Sequence, residues 1–355
     1  YRYRRDANEN AIDLFKRALE LDPNYALAYA GLGDAYGQRV QRFGFLSVWL
    51  DSAVVVGKKS IELDPDLAEG HKALGLAYNM MGRFSVGLDY FKKAASLNPN
   101  YFPAIANIGS ILQSTGKPDE ALPWVKKAIA INPSAAVNLN MISELYQSLD
   151  DLPRSREYAD RAIVLQPDLP TAYFVLAALD ALEGKTEESK KRCQQVLSMF
   201  PNESAPLAVG GLMYFWLRDF KGATPLLEKE LSLTAPESDS YNPLAYIYLR
   251  GGRKQEADKF LNQNIAQQHK YIDKGDEGPG SRFSIATSYA LQGNDEEALR
   301  WFQEAVDRGF IDWRIINGHP AYDRLRTNAR FKQLMDDLKS KIDRMRKHAE
   351  ELDRQ

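Results

Sequence analysis

Six prolines punctuate the first two thirds of the chain, each closing an apolar segment of helical character: LELDP, IELDP, SLNP, AINP, VLQP and SMFP. They are Pro23, Pro65, Pro99, Pro133, Pro167 and Pro201, so a first gap of 42 residues is followed by four gaps of 34. A fixed period of this length means one supersecondary unit copied along the chain, and such a unit buries its apolar face only against the next copy. Proline ends a helix because it lacks the N–H donor and clashes with the preceding turn. The spacing therefore predicts stacked helix hairpins, not the two or three separately closed domains that 355 residues would otherwise suggest.

Within the copies, small and aromatic residues recur at matching places. Tyr29, Leu32, Gly33 and Tyr36 open one copy, and Leu74, Gly75 and Tyr78 with Phe91, Ala94 and Pro99 make the next. Ile108, Gly109, Leu112, Gly116, Ala121, Val125, Ala128 and Pro133 follow, then Tyr173, Leu176, Ala177, Gly184, Cys193 and Pro201. Tyr241, Leu244, Ala245, Tyr248, Gly252 and Ala257 form a weaker copy, and Ile285, Ala286, Tyr289, Gly293, Ala298, Phe302 and Ala305 the last. The pattern resembles the tetratricopeptide repeat, whose period is 34 and whose signature runs W-x2-L-G-x2-Y, A-x3-F, P. That resemblance implies an all-α chain: a right-handed α-α superhelix of about eight hairpins, with the small residues letting paired helices approach. Gly82, Gly116, Gly184, Gly252 and Gly293 stand where a first helix must end in a left-handed residue, which glycine adopts without a Cβ clash.

The organisation expected from this reading is a partial first repeat over 1–25 and a solenoid over 26–264. Its copies fall near 26–67, 68–101, 102–135, 136–169, 170–203, 204–237 and 238–264. A loop over 265–281 follows, then a last hairpin over 282–308, and finally a linker and C-terminal capping helix over 309–355. The second copy carries eight extra residues in QRVQRFGFLSVWLDS, predicting longer helices or an extra turn, with Phe43, Phe45 and Trp49 clustered. The copy over 204–237 has Gly210 where leucine is expected and Glu230 where alanine is expected, predicting altered pairing. QNIAQQHKYIDKGDEGPGSR breaks the period and reads as the loop. Phe331, Leu334, Met335, Leu338, Ile342 and Met345 recur every three or four residues and give the capping helix one apolar face.

Chemistry finds little support. Lys and Arg total 46 against 48 for Asp and Glu, leaving no cationic excess for a phosphate backbone, so nucleic acid is not an expected partner. No apolar run reaches the length of a membrane span. Phosphate-loop, dinucleotide and H-E-x-x-H zinc signatures are missing, and the four histidines, His71, His269, His319 and His348, are too scattered to converge. Neither a cofactor nor a metal is expected. Cys193 sits at a helix-packing position and reads as a small buried hydrophobe.

The resemblance implies that the first helices of the repeats line a concave groove, with the second, fifth, ninth, twelfth and thirteenth positions facing it. In the earlier copies these are Lys72, Leu76, Asn79, Ser110, Gln113, Asn140, Glu144 and Gln147; later they are Phe174, Leu182, Leu212, Phe215, Trp216, Tyr246 and Arg250. A protein or peptide partner with a polar part and an apolar anchor suits such a wall. The Lys and Asn ladder that clamps a terminal carboxylate in chaperone-binding members is not reproduced, nor is the asparagine ladder of the glycosyltransferase-associated repeats. The expected function is a non-enzymatic scaffold or adaptor. A second expectation comes from HPAYDRLRTNARFKQLM, which resembles the tail after such repeats in bacterial multi-domain regulators: a regulatory segment whose kinase, cyclase or winged-helix effector lies outside this chain. The opening AIDLFKRALELDPN matches only a second helix, so the start reads as cut within a repeat.

Overall fold

The computed structural model describes residues 5–43, 45–235 and 237–354, without the side chains of 41–43 and 353. After α1 (Arg5–Leu21) come eight helix pairs. The first four are α2 (Ala26–Phe43) with α3 (Val48–Leu63), α4 (Ala68–Met80) with α5 (Phe84–Leu97), α6 (Phe102–Ser114) with α7 (Pro118–Ile131), and α8 (Ala136–Ser148) with α9 (Leu152–Leu165). The next are α10 (Pro170–Leu182) with α11 (Thr186–Met199), α12 (Ser204–Trp216) with α13 (Phe220–Thr234), α14 (Tyr241–Arg250) with α15 (Lys254–Asp273), and α16 (Pro279–Gln292) with α17 (Asp295–Asp307). A short α18 (Trp313–Gly318), two 3-10 turns (Pro320–Tyr322 and Leu325–Thr327) and a long α19 (Ala329–Asp353) complete it.

Close packing inside each pair explains the small residues. A Cβ on Gly75 would stand 2.7 Å from the Phe91 ring, and one on Gly109 would stand 2.5 Å from a Val125 methyl. Gly82, Gly116, Gly184, Gly252 and Gly293 all adopt positive φ, between 71° and 84°. In the two pairs without a turn glycine the same conformation falls on Asp150 (φ 64°) and Arg218 (φ 60°). Cys193 is fully buried, and burial pushes its thiol up to about 12.

The extended second copy lengthens both helices, α2 to 18 residues and α3 to 16, against 13 and 14 in the pair that follows. Arg39 explains part of this: its guanidinium lies over the rings of Trp49 (4.1 Å) and Phe45 (5.3 Å) and pairs with Glu9 of α1. The Phe43 side chain lies outside the described residues. The copy over 204–237 pairs regularly, so the expectation of altered pairing is corrected. Leu197 and Leu227 fill the space beside Gly210 and Gly211, and the Glu230 carboxylate, 3% exposed, accepts from Thr234 (2.6 Å), Ser238 (2.5 Å) and Ser240 (2.5 Å). A hydroxyl cluster thus satisfies an acid where an alanine was expected.

The loop expected over 265–281 is a second correction. α15 runs to Asp273, leaving only 274–278 between helices. Its buried face is amide, not apolar, which hides it from a hydrophobic period: Asn264 donates to Ser284 Oγ (3.0 Å) and Ser288 Oγ (2.8 Å), with Gln268 alongside.

The solenoid coils tightly enough to meet itself. Glu237 accepts from the Ser47 amide and hydroxyl (3.0 and 2.9 Å), 190 residues away, and Glu277 accepts from the Ser85 amide and hydroxyl (2.7 and 2.6 Å), 192 away. Gly116 and Gly309 meet backbone to backbone, closely enough that a Cβ on Gly116 would lie 2.1 Å from the Gly309 carbonyl. The near-constant separation means that one superhelical turn takes about 190 residues and that successive turns touch. α19 packs Phe331, Leu334, Leu338 and Ile342 onto the core of the last hairpin, then crosses to place Ala349 and Met345 on the core around α6 and α7. It closes the end of the stack and also ties that end to its middle.

Candidate partner-binding groove

Four consecutive first helices, α6, α8, α10 and α12, form one wall of a cavity of about 560 Å³. Gln113, Glu144 and Gln147 stand at its polar end, while Phe174, Val175, Leu182, Leu212, Met213 and Trp216 make the apolar part. The opposite wall is the segment between α17 and the first 3-10 turn: Ile311, Asp312, Trp313, Arg314, Ile315 and His319. That segment read as linker from sequence, although FIDWRII within it has the apolar and aromatic content of a packed stretch. Turn residues hold it in place. Asp150 pairs with Arg314 and, at 3.6 Å, with Arg346 of α19; Arg218 makes a two-bond pair with Asp323 (3.0 and 3.0 Å).

The sequence-nominated residues divide. Gln113, Glu144, Phe174, Leu212, Phe215 and Trp216 come together around this cavity, Leu212 being 37% exposed. Phe215 is 2% exposed beneath Phe220, Tyr246 and His319, so it supports the wall without presenting surface. Lys72 does not reach the groove: it is buried and paired with Asp34 at 2.6 Å, because the preceding hairpin places an acid within its reach. Asn140 is buried and donates to Glu144 (2.7 Å). Asn79 lines a separate cavity of about 930 Å³, together with Asp51, Glu230, Glu237, Asp239 and Asp276 and the bases Arg83 and Lys274. Tyr246 and Arg250 pack on Phe220 (5.4 and 5.1 Å) beyond the cavity edge.

Electrostatics give the cavity its character. Glu144 accepts only amide donors, from Asn140 and from Gln113 at 3.4 Å, and burial raises its carboxyl above the usual carboxylate range. Asp312 opens onto the cavity and has no hydrogen-bond or ionic partner among the described residues. It lies at the exposed rim of the cavity, and the neighbouring protein raises its carboxyl above the ordinary value. His319 is driven down to about 4 by burial, and its Nδ1 accepts the Ala321 amide (3.2 Å), as a neutral imidazole must. Among the described residues no three His, Cys, Asp or Glu side chains gather as a metal site, and no helix is long and apolar enough to cross a membrane.

Family models match three segments: a TPR repeat over residues 2–39 and tetratricopeptide repeats over 102–134 and 284–309. No curated protein matches the sequence. Among solved structures the chain is similar to one in the APC/C hetero-tetramer Cut9–Hcn1 (17% identity, TM-score 0.58), over 84% of this chain and 53% of that one. It is also similar to human IFIT1 in a dimer with m7Gppp-AAAA (18% identity, TM-score 0.56), over 84% of this chain and 68% of that one. The chain thus spans about half the length of the first and two thirds of the second. At these identities the likeness concerns the fold: the chain carries tetratricopeptide repeats in the three matched segments and folds as a TPR-like solenoid.

Proposed function

We propose that this chain is a non-enzymatic scaffold that holds a segment of a partner protein in the cavity between α6, α8, α10, α12 and the Ile311–His319 segment. The observation that carries the reading is the composition of that wall. A solvent-accessible apolar surface containing Leu212 and Trp216 continues into a patch of side-chain amides and one carboxylate. Peptide-binding surfaces combine an aromatic or aliphatic anchor with a few placed polar groups in this way. A nucleotide chain of the kind seen with IFIT1 fits the charge poorly. Glu144 and Asp312 face the cavity, and Arg314, which also lines it, is engaged by Asp150.

Leu212→Glu tests the proposal, since Leu212 is partly exposed and tolerates a polar side chain without disturbing a core. Proteins retained by the wild-type chain from its native lysate are compared with those retained by the variant, with circular dichroism confirming equal helicity. The reading requires that at least one specific partner disappears with Leu212→Glu; an unchanged partner profile refutes it.

A further inference from the structure

Resting on that reading, we infer that the segment taken by the cavity is basic: a Lys or Arg flanked by aliphatic or aromatic residues, its cation meeting Glu144 and Asp312 and its neighbours seated on Leu212, Phe174 and Trp216. The argument is charge complementarity. Glu144 is surrounded by Gln113 and Asn140 amides, which hydrogen-bond to a carboxylate without neutralising it. Asp312 has no partner among the described residues. The Arg314 guanidinium is turned to Asp150, and His319 is held neutral by burial and by the Ala321 amide. Two carboxylates, one half-buried and one at the exposed rim, therefore face one cavity beside apolar side chains, with no unengaged cation among the residues that line it.

Glu144, half-buried with no cation beside it, is costly to ionise, and a cation of the partner is the group that relieves it. A carboxylate-bearing segment would place like charges together in a medium of low dielectric, which disfavours it strongly. The long aliphatic stems of Lys and Arg suit the route past Leu212 to the polar end, since they bury methylene groups while carrying the charge inward.

The test uses the full chain and fluorescein-labelled, N-acetylated, C-amidated octapeptides with Leu-Lys-Leu, Leu-Arg-Leu, Leu-norleucine-Leu or Leu-Glu-Leu at the centre, read by fluorescence polarisation. The Lys and Arg peptides are expected to bind about tenfold or more tightly than the norleucine peptide. That preference is expected to collapse in Glu144→Gln and to shrink in Asp312→Asn, a surface substitution that leaves the packing of α8 untouched. Equal binding of the norleucine peptide, tighter binding of the Glu peptide, or a basic preference that survives both substitutions overturns the inference. The groove reading survives those outcomes if Leu212→Glu still removes binding. If no peptide binds, or if binding ignores Leu212→Glu, the groove reading fails and the inference with it. Self-association abolished by Leu212→Glu would assign the groove to a second copy and overturn the basic-segment inference.

Discussion

Asp150 carries two opposed contributions, and their balance can be measured. Its backbone is left-handed (φ 64°), a conformation that costs Ala about 1 kcal/mol and Asp or Asn about half that. Against this stand the pairs to Arg314 and Arg346. The side chains involved are 17%, 35% and 31% exposed, so solvent screening limits the pairs to roughly 1 kcal/mol for Arg314 and ~0.5 kcal/mol for Arg346 at 3.6 Å. Asp150→Asn keeps the backbone preference and loses the charge, a loss of about 1.5 kcal/mol. Asp150→Gly loses the same pairs but relieves the strain, leaving a deficit of about 1 kcal/mol. Asp150→Ala loses the pairs and adds strain, a deficit of about 2 kcal/mol. A repeat array seldom melts in two states, so the suitable assay is amide hydrogen exchange of peptides covering 309–318 and the second half of α19. Exchange there should accelerate about tenfold in Asp150→Asn, less in Asp150→Gly and more in Asp150→Ala, since 1.4 kcal/mol is a factor of ten. Unchanged exchange in Asp150→Asn, or slower exchange than wild type in Asp150→Gly, would refute the idea that these pairs hold the C-terminal segment against a strained turn.

Three further expectations follow from the same geometry. Gly116→Ala and Gly184→Ala add the same methyl at nearly the same φ, but only the first meets backbone, the Gly309 carbonyl at 2.1 Å, while the second meets nothing within 4 Å. Amide hydrogen exchange of the peptides flanking each turn should therefore find Gly184→Ala costing about 1 kcal/mol and Gly116→Ala clearly more, and equal costs would contradict the close approach. The two C-terminal histidines should respond to pH in opposite senses. His319, lowered to about 4, contributes stability that is lost as pH falls from its unfolded value of 6.5 toward 4, whereas His348 is raised chiefly by its bond to Asp119 and contributes below 6.5 what it loses as pH rises through its folded value. Exchange over 311–322 should thus accelerate at pH 5, and exchange over 344–352 at pH 8; His319→Gln and His348→Gln should each abolish its own effect. Ending the chain after Asp323 removes Phe331, Leu334, Leu338 and Ile342 from a core containing Phe302 and Tyr322, a loss of about 6–12 kcal/mol at roughly 1.5–3 kcal/mol per side chain. The shortened chain should bind hydrophobic dyes and aggregate, and a soluble, cooperative melt would remove the capping role.

The hairpins, their glycine turns and the apolar face of α19 were legible in the sequence because each is fixed within one or two repeats. Gly75 against Phe91 is a contact across 16 positions, and the 34-residue period repeats that solution. The return of the chain onto itself was not legible. A turn of about 190 residues is the sum of small rotations between neighbouring hairpins, none of which leaves a residue-level mark. For the same reason the groove rule misplaced some positions while grouping others. It names inward-facing positions, but whether Lys72 reaches solvent depends on Asp34 one hairpin earlier, and what Phe215 presents depends on His319, more than a hundred residues later. The loop misread over 265–281 had a different origin, a buried face made of Asn264 and Gln268, which no apolar period reports.

One long-range mark was nevertheless present in the sequence. Counting 34 residues on from Gly116 gives Asp150, and from Gly184 gives Arg218, two charged residues where the turn demands positive φ. Strain at such a place persists only where the surroundings offset it. In both cases the offset is an ion pair to the C-terminal segment: Asp150 with Arg314 and Arg346, and Arg218 with Asp323. Among the turns that keep glycine, Gly184 and Gly252 have no atom within 4 Å of an added Cβ, whereas Gly82, Gly116 and Gly293 are approached by Asp276, Gly309 and Arg324. What sets the two charged turns apart from the glycine turns is therefore the kind of contact, an ion pair where Gly82 and Gly116 offer close approach, and in this chain those pairs tie the turns to the C-terminal region that includes the far wall of the groove.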